Sequence, residues 1–371
     1  MIKKYTQKEY KKTVYNILGE LPTLITNGWF DDILKTDKCY MFMLWGFCYL
    51  DLSKNDLSGL DLKHLELITF NSSTIFPPID KMPKGFEPKE ILERGQNPFL
   101  GIRELHKKGI DGRGITVANI DGGFQSQNHV EFKGSNIEEV NLFPSVVASF
   151  HADGVLSNLC GQTLGVAPKV KVLHYNSVIG GKNFTNYRLL SLQDILKRVQ
   201  NGEPIRVVNM SGPLGIFKDN SKISKQFNNL ISELSKLKCE VVDSERFSEN
   251  FSCCGFRLDK VDELTRANWI TDKDMEWYSS KVSFVCGGKV TPEFTSDTGY
   301  KYENEDCYSW TIPQAVGMYA LSLQQDPNLT WENFAQISQS TSKVLENGVR
   351  IAEPQKIIEF VKTKNQTITL S

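Results

Sequence analysis

Neither positive nor negative residues are in excess in this chain of 371 residues: 43 lysines and arginines meet 44 aspartates and glutamates. A net charge of -1 argues against an electrostatic nucleic-acid binder, which carries a basic excess. Nor is any apolar stretch extended. The longest nearly uncharged apolar run, residues 39–50, has 12 residues, against the ~20 that a helix needs to cross a bilayer. The first twelve residues are basic, but polar residues follow where a secretion signal turns apolar. Together these features predict a cytoplasmic protein with no membrane span and no nucleic-acid partner. The eight cysteines include no CxxC pair, so zinc-ribbon and thioredoxin-type motifs are unsupported. Their scatter through apolar runs predicts buried free thiols in a reducing compartment. No G-x-G-x-x-G opens a helix after a strand, which removes a dinucleotide-binding enzyme.

What is present is 40% hydrophobic and 11% aromatic, enough for a sizeable core. Residues 1–95 read as one small, mostly helical unit. Helical patterns cover 7–19 and 25–35, with Asn27-Gly28 as the break between them. Leu52, Leu57, Leu60, Leu62, Leu65 and Leu67 alternate loosely, which predicts an ordinary packed segment, two turns being too few for a solenoid. Four prolines within residues 73–88 then read as an extended linker. The aromatic set Trp29, Phe42, Trp45, Phe47 and Tyr49 is expected to form this unit's core or its interface with the rest; docking of a substrate leader or partner is the alternative.

From residue 96 the pattern changes. Short apolar strands are expected at 115–120, 170–178, 205–211, 239–242 and 281–286. Helical stretches lie between them at 152–161, 186–201 and 221–238. Strands alternating with helices predict a parallel sheet covered on both faces. In such folds the chemistry sits beyond the carboxyl ends of the strands. Three residues meet that criterion. Asp121 closes the strand ITVANI, His151 opens a helix, and Ser309 stands at the amino end of a small, apolar helix. Each alone has an ordinary explanation: an Asp-Gly turn, a packing or capping histidine, a helix-capping serine. Their order along the chain, Asp then His then Ser, is the subtilisin order of the catalytic triad.

On these residues the chain resembles the subtilisin-like (S8) serine peptidases. The resemblance covers about residues 96–364. Its segments are GRGITVANIDGG around Asp121, SFHADGV around His151, LGVAPKVKVLHYNSV with Gly-Val-Ala-Pro at 165–168, IRVVNMSGPLG, CYSWTIPQAVGMYAL around Ser309, DPNLTWENFAQISQSTS and NGVRIAEPQKIIEFV. The resemblance implies a three-layer α/β fold with a mainly parallel central sheet over 96–371. It implies a serine endopeptidase whose triad is Asp121, His151 and Ser309, with no cofactor. The substrate is a peptide or protein, lying extended along Ser211-Gly212 and Gly180-Gly181, where glycines let backbones approach. The Ser309 backbone N–H supplies half of the oxyanion hole.

The departures are specific. Ala152-Asp153 stands where the family has Gly-Thr after the histidine, and Cys307-Tyr308 where it has Gly-Thr before the serine. The family's Ala-Gly-Asn turn is replaced by VVDSERFSEN, so Asp243, Ser244 or Arg246 holds the place of the oxyanion asparagine. Ser244 and Arg246 are the candidate donors. A narrow-specificity processing protease is the first reading, a pseudoprotease acting as a peptide-binding or regulatory module the alternative. The acidic stretch 295–306 reads as a solvated loop, and no metal site is expected.

Overall fold

The computed structural model describes residues 6–9, 46–60, 65, 68–143, 146–177, 184–212, 221–254, 280–285, 289–303 and 308–369. Apart from a helical turn at 7–9, the helices expected over 7–19 and 25–35 lie outside the described residues, as do Trp29, Phe42 and Trp45.

Four of the five apolar runs read from the sequence, at 115–120, 170–178, 205–211 and 239–242, become strands of one parallel sheet, while the fifth, at 281–286, contributes Val282–Val285 to another sheet. Strands β2 (Thr116–Asp121), β3 (Asn136–Val140), β4 (Lys171–Asn176), β5 (Ile205–Asn209) and β6 (Glu240–Val242) lie in the order β3-β4-β2-β5-β6. Every neighbouring pair in it is parallel. Four of the five are almost wholly buried because both faces are covered. Alternate side chains enter different cores: Val117, Val172 and Val207 go to one, Ala118, Leu173 and Val208 to the other. The chain winds one way from β2 and later crosses to the other side of it, so β2 is the topological switch point.

Helices α3 (Phe150–Cys160), α7 (Tyr308–Leu323) and α9 (Pro354–Thr369) belong to the first core, α4 (Phe184–Gln200) and α5 (Ser221–Lys236) to the second. The outer helices are amphipathic by spacing. Ile223, Phe227, Leu230, Ile231 and Leu234 form one stripe of α5 against the sheet. Helix α6 (Ser244–Asn250) comes directly after β6, and α8 (Trp331–Thr341) lies between α7 and α9 in sequence. The small helices α1 (Pro88–Gly95) and α2 (Ile102–Lys107) precede the sheet.

Helix α7 is buried along most of its length. Its approach to α3 is close because Gly154 has no side chain: a Cβ there would stand 2.3 Å from Cζ3 of Trp310. Gly154→Ala is therefore expected to destabilise the protein by about 1–3 kcal/mol through overpacking, measured by urea denaturation. An unchanged midpoint would mean that the indole has room to move.

Two further sheets complete the molecule. Strands β7 (Phe251–Cys254), β8 (Val282–Val285), β11 (Lys343–Val344) and β12 (Arg350–Ile351) form one in the order β11-β12-β8-β7. The other is a hairpin of β9 (Lys289–Pro292) and β10 (Tyr300–Glu303), to which β1 (Phe70–Asn71) adds a third strand through Phe70–Tyr302. Residues 73–88 carry Phe76 and Phe86 back onto Phe70, with ring centroids 5.6 and 5.8 Å away. Phe47, Leu52, Leu57, Leu60 and Leu65 join the same core. No helix of the described residues is long and apolar enough to cross a membrane.

Candidate active site

Asp121 is the last residue of β2, at the switch point, and is buried. Its carboxylate accepts the Gly122 N–H at 2.7 Å and faces Nδ1 of His151, with Oδ1 at 2.9 Å and Oδ2 at 3.0 Å. Because a carboxylate only accepts, the pairing assigns the imidazole proton to Nδ1 and leaves Nε2 as the free base. His151 sits in the first turn of α3. Ser149 caps that helix, its hydroxyl accepting the His151 N–H at 3.1 Å. Burial, the largest single influence, pushes the His151 pKa down. The charge of Asp121 and its hydrogen bond outweigh that, and the net shift is upward from 6.5.

Asp153 explains one departure from the family pattern. Fully buried, it accepts the Gln125 N–H at 3.0 Å and the Ser126 N–H at 3.3 Å and pairs with the Ser126 hydroxyl. The residue two positions after His151 thus ties the start of α3 to the loop that follows Asp121.

Ser309 lies in the first turn of α7, where backbone N–H groups have no intrahelical acceptor. Pro313 has no N–H to give to the Ser309 carbonyl, four residues earlier. The neighbours of Ser309 are anchored on opposite sides. The Trp310 ring lies 5.3 Å from the His151 ring, while Tyr308 packs edge-on against Phe247 of α6 at 5.5 Å. The larger side chains beside the serine thus serve as packing contacts to α3 and α6.

Ser211 and Gly212 follow β5. Gly212 has φ +151° and its carbonyl accepts the Ser244 N–H at 3.3 Å, which brings the ends of β5 and β6 together. Gly180 and Gly181 lie outside the described residues. Asp243 caps α6, accepting the Arg246 N–H at 2.9 Å. The Arg246 guanidinium is occupied by two carboxylates, Glu240 at 2.9 Å and Glu332 at 2.5 Å. Among the described residues no group of three His, Cys, Asp or Glu is arranged to hold a metal ion.

Sequence reasoning missed a row of buried polar residues within the sheet. Asn119, His174 and Asn209 stand side by side on β2, β4 and β5. Asn209 Nδ2 donates to Asn119 Oδ1 at 2.7 Å, Asn119 Nδ2 to His174 Nδ1 at 2.9 Å, and His174 Nε2 to the Gly122 carbonyl at 3.0 Å. Burial holds His174 below the ordinary histidine value, as a neutral strut. The row runs from the Ser211 edge, whose hydroxyl accepts from Asn209 Nδ2 at 3.3 Å, to the residue beside Asp121. Its signal was a polar letter inside each apolar run: VANI, VLHY, VVNM. Arg188 was missed as well. It occupies the buried stripe of α4 with Leu192 and Ile195, four and seven residues on.

No family model matches the sequence, and no curated protein matches it. Solved structures do. A structure of the prenylagaramide maturation protease PagA is 16% identical, with a TM-score of 0.50, and the match covers 70% of this chain and 98% of that one. The PatG macrocyclase domain is 13% identical over 70% and 94% of the two chains, with a TM-score of 0.48. A cold-adapted subtilisin-like serine proteinase is 18% identical over 65% and 89%, with a TM-score of 0.43. With a switch-point aspartate on a parallel five-stranded sheet covered by helices on both faces, this chain has a subtilisin-like fold.

Proposed function

We propose that this chain is a serine endopeptidase that cleaves peptide bonds through an acyl-enzyme, with Asp121, His151 and Ser309 as its triad. The reading rests on the buried carboxylate–imidazole pair at 2.9 Å. That pair stands at the carboxyl end of the switch-point strand, with a helix bearing Ser309 on its first turn beside the imidazole. Asp121 holds the tautomer and stabilises the imidazolium. His151 Nε2 takes the Ser309 proton as the hydroxyl attacks the scissile carbonyl, then returns it to the leaving amine, and water releases the acyl group. The Ser309 N–H donates to the developing oxyanion. Ser244, bonded to the Gly212 carbonyl, is the better remaining candidate for a second donor, because Arg246 already serves Glu240 and Glu332. The substrate runs as an added strand along Ser211-Gly212 and Gly180-Gly181. Processing of one peptide or protein in the cytoplasm, with residues 1–95 as an N-terminal extension, completes the reading.

The competing reading, a pseudoprotease that keeps the groove as a binding module, draws on one observation: the residue after β6 is Asp243, a helix cap, where the family has its asparagine turn. Treatment with a fluorophosphonate followed by peptide mapping separates the two. An adduct on Ser309 supports the peptidase. A folded chain that takes no label supports the binding module.

The acid limb of activity is expected above pH 6.5, since the net shift of His151 is upward and a protonated imidazole cannot act as a base. The stability contribution of the pair has the opposite trend. It is complete below the unfolded value of 6.5 and is lost as pH rises through the raised folded value. A labelling rate that is flat between pH 5 and 8 would exclude His151 as the base.

A further inference from the structure

Arg188 is a cation on the apolar stripe of α4, only 6% exposed. Its guanidinium lies behind the cleft edge, where a Cβ on Gly212 would stand 3.1 Å from Nη2. Gly212 follows β5, the strand between β2 and β6. The residues at the ends of those two flanking strands are Asp121 and Asp243, both buried and both acting on Arg188 with favourable charge. One buried cation therefore lies beside Gly212, after the middle of three adjacent strands whose two outer members lead into buried carboxylates.

We propose that Arg188 is a positioning residue of the site, setting a cation behind the cleft edge that offsets the charge of Asp121 on the imidazole of His151. The proposal deepens the peptidase reading and rests on it for its catalytic meaning. The ionisable groups that bear on this cluster are Asp121, His151, His174, Asp243 and Glu303. Asp121 and Glu303 favour the protonated His151, and Arg188 opposes it. Desolvation is the largest influence on the guanidinium itself, lowering its pKa to about 10 against the pull of both aspartates. It therefore keeps its charge throughout the range in which His151 titrates. Without that charge Asp121 and Glu303 would act on His151 unopposed and draw a proton onto it at a higher pH, and less of the free base would remain at neutrality.

The test is the titration of His151 by NMR in histidine-labelled protein, with the resonance assigned by loss in His151→Ala. Arg188→Met, which keeps the bulk and removes the charge, should shift the midpoint to higher pH. Arg188→Lys, which keeps the charge, should restore it towards the wild-type value, a rescue that a purely packing role would not produce. A folded Arg188→Met with an unchanged midpoint overturns the proposal. If that variant does not fold, an unchanged midpoint in Arg188→Gln overturns it. The acid limb of fluorophosphonate labelling should follow the same shifts. A wild-type chain that takes no label overturns the peptidase reading alone, since the imidazole titration still decides the role of Arg188.

Discussion

Ser309→Ala is expected to abolish fluorophosphonate labelling and to lower peptide hydrolysis by about 10⁶-fold, the loss typical of removing the nucleophile from a triad of this kind. The effect is large because the three groups act as one unit. Without the hydroxyl no acyl-enzyme forms, and the His151–Asp121 pair has no proton to move. Only binding and oxyanion stabilisation remain, a residue of about 10³–10⁴ over water. The substitution removes one oxygen from a half-buried side chain and makes a better helix former, so the fold should survive. Circular dichroism and a thermal melt check that. A variant that labels at the wild-type rate would assign the nucleophile elsewhere.

Asp121→Asn should cost about 10⁴-fold in kcat/KM while leaving the fold intact. The carboxylate receives both the Gly122 N–H and the His151 Nδ1 proton. An amide offers one oxygen and one NH₂. If the oxygen keeps Gly122, the NH₂ faces Nδ1, and the imidazole must then carry its proton on Nε2, where the base is needed. The variant also loses the charge that stabilises the imidazolium. Steady-state kinetics on a peptide substrate, or labelling rates where no substrate is in hand, read the effect. Activity within tenfold of wild type would show that the aspartate does not orient the base.

The parallel sheet was legible because its strands are buried on both faces and so read as unbroken apolar runs. Strand β3 was not. It is an edge strand, and its NIEEV alternates exposed and half-buried residues. The β9–β10 hairpin was hidden by its charges: Lys301 and Glu303, bonded at 2.6 Å, and Lys289, bonded to the Asn97 carbonyl at 2.9 Å, are all buried. Such letters read as surface until their partners are known. Helix α6 is only seven residues long and has little periodicity. In the site, Asp121 and His151 were readable because each closes or opens an element. Asn119, His174 and Asn209 acquire meaning only through register, since strand order, not proximity in sequence, makes them neighbours. The eight scattered cysteines gave a sound reading where the structure describes them. Cys48, Cys160, Cys239, Cys253 and Cys254 are buried and free, and burial pushes the Cys160 and Cys239 thiols up to about 12, which makes them poor nucleophiles.

Strand β1 bears on how such an enzyme would be brought into service. Phe70 and Asn71 zip onto Tyr302 and Lys301, a few residues ahead of the helix that carries Ser309, and Ser73 clasps Glu293 of the same hairpin at 2.6 Å. Severing and discarding the leading segment would strip a strand from that hairpin and bare an edge ready to pair with other chains. That pairing makes residues 70–73 a structural part of the hairpin that precedes the Ser309 helix.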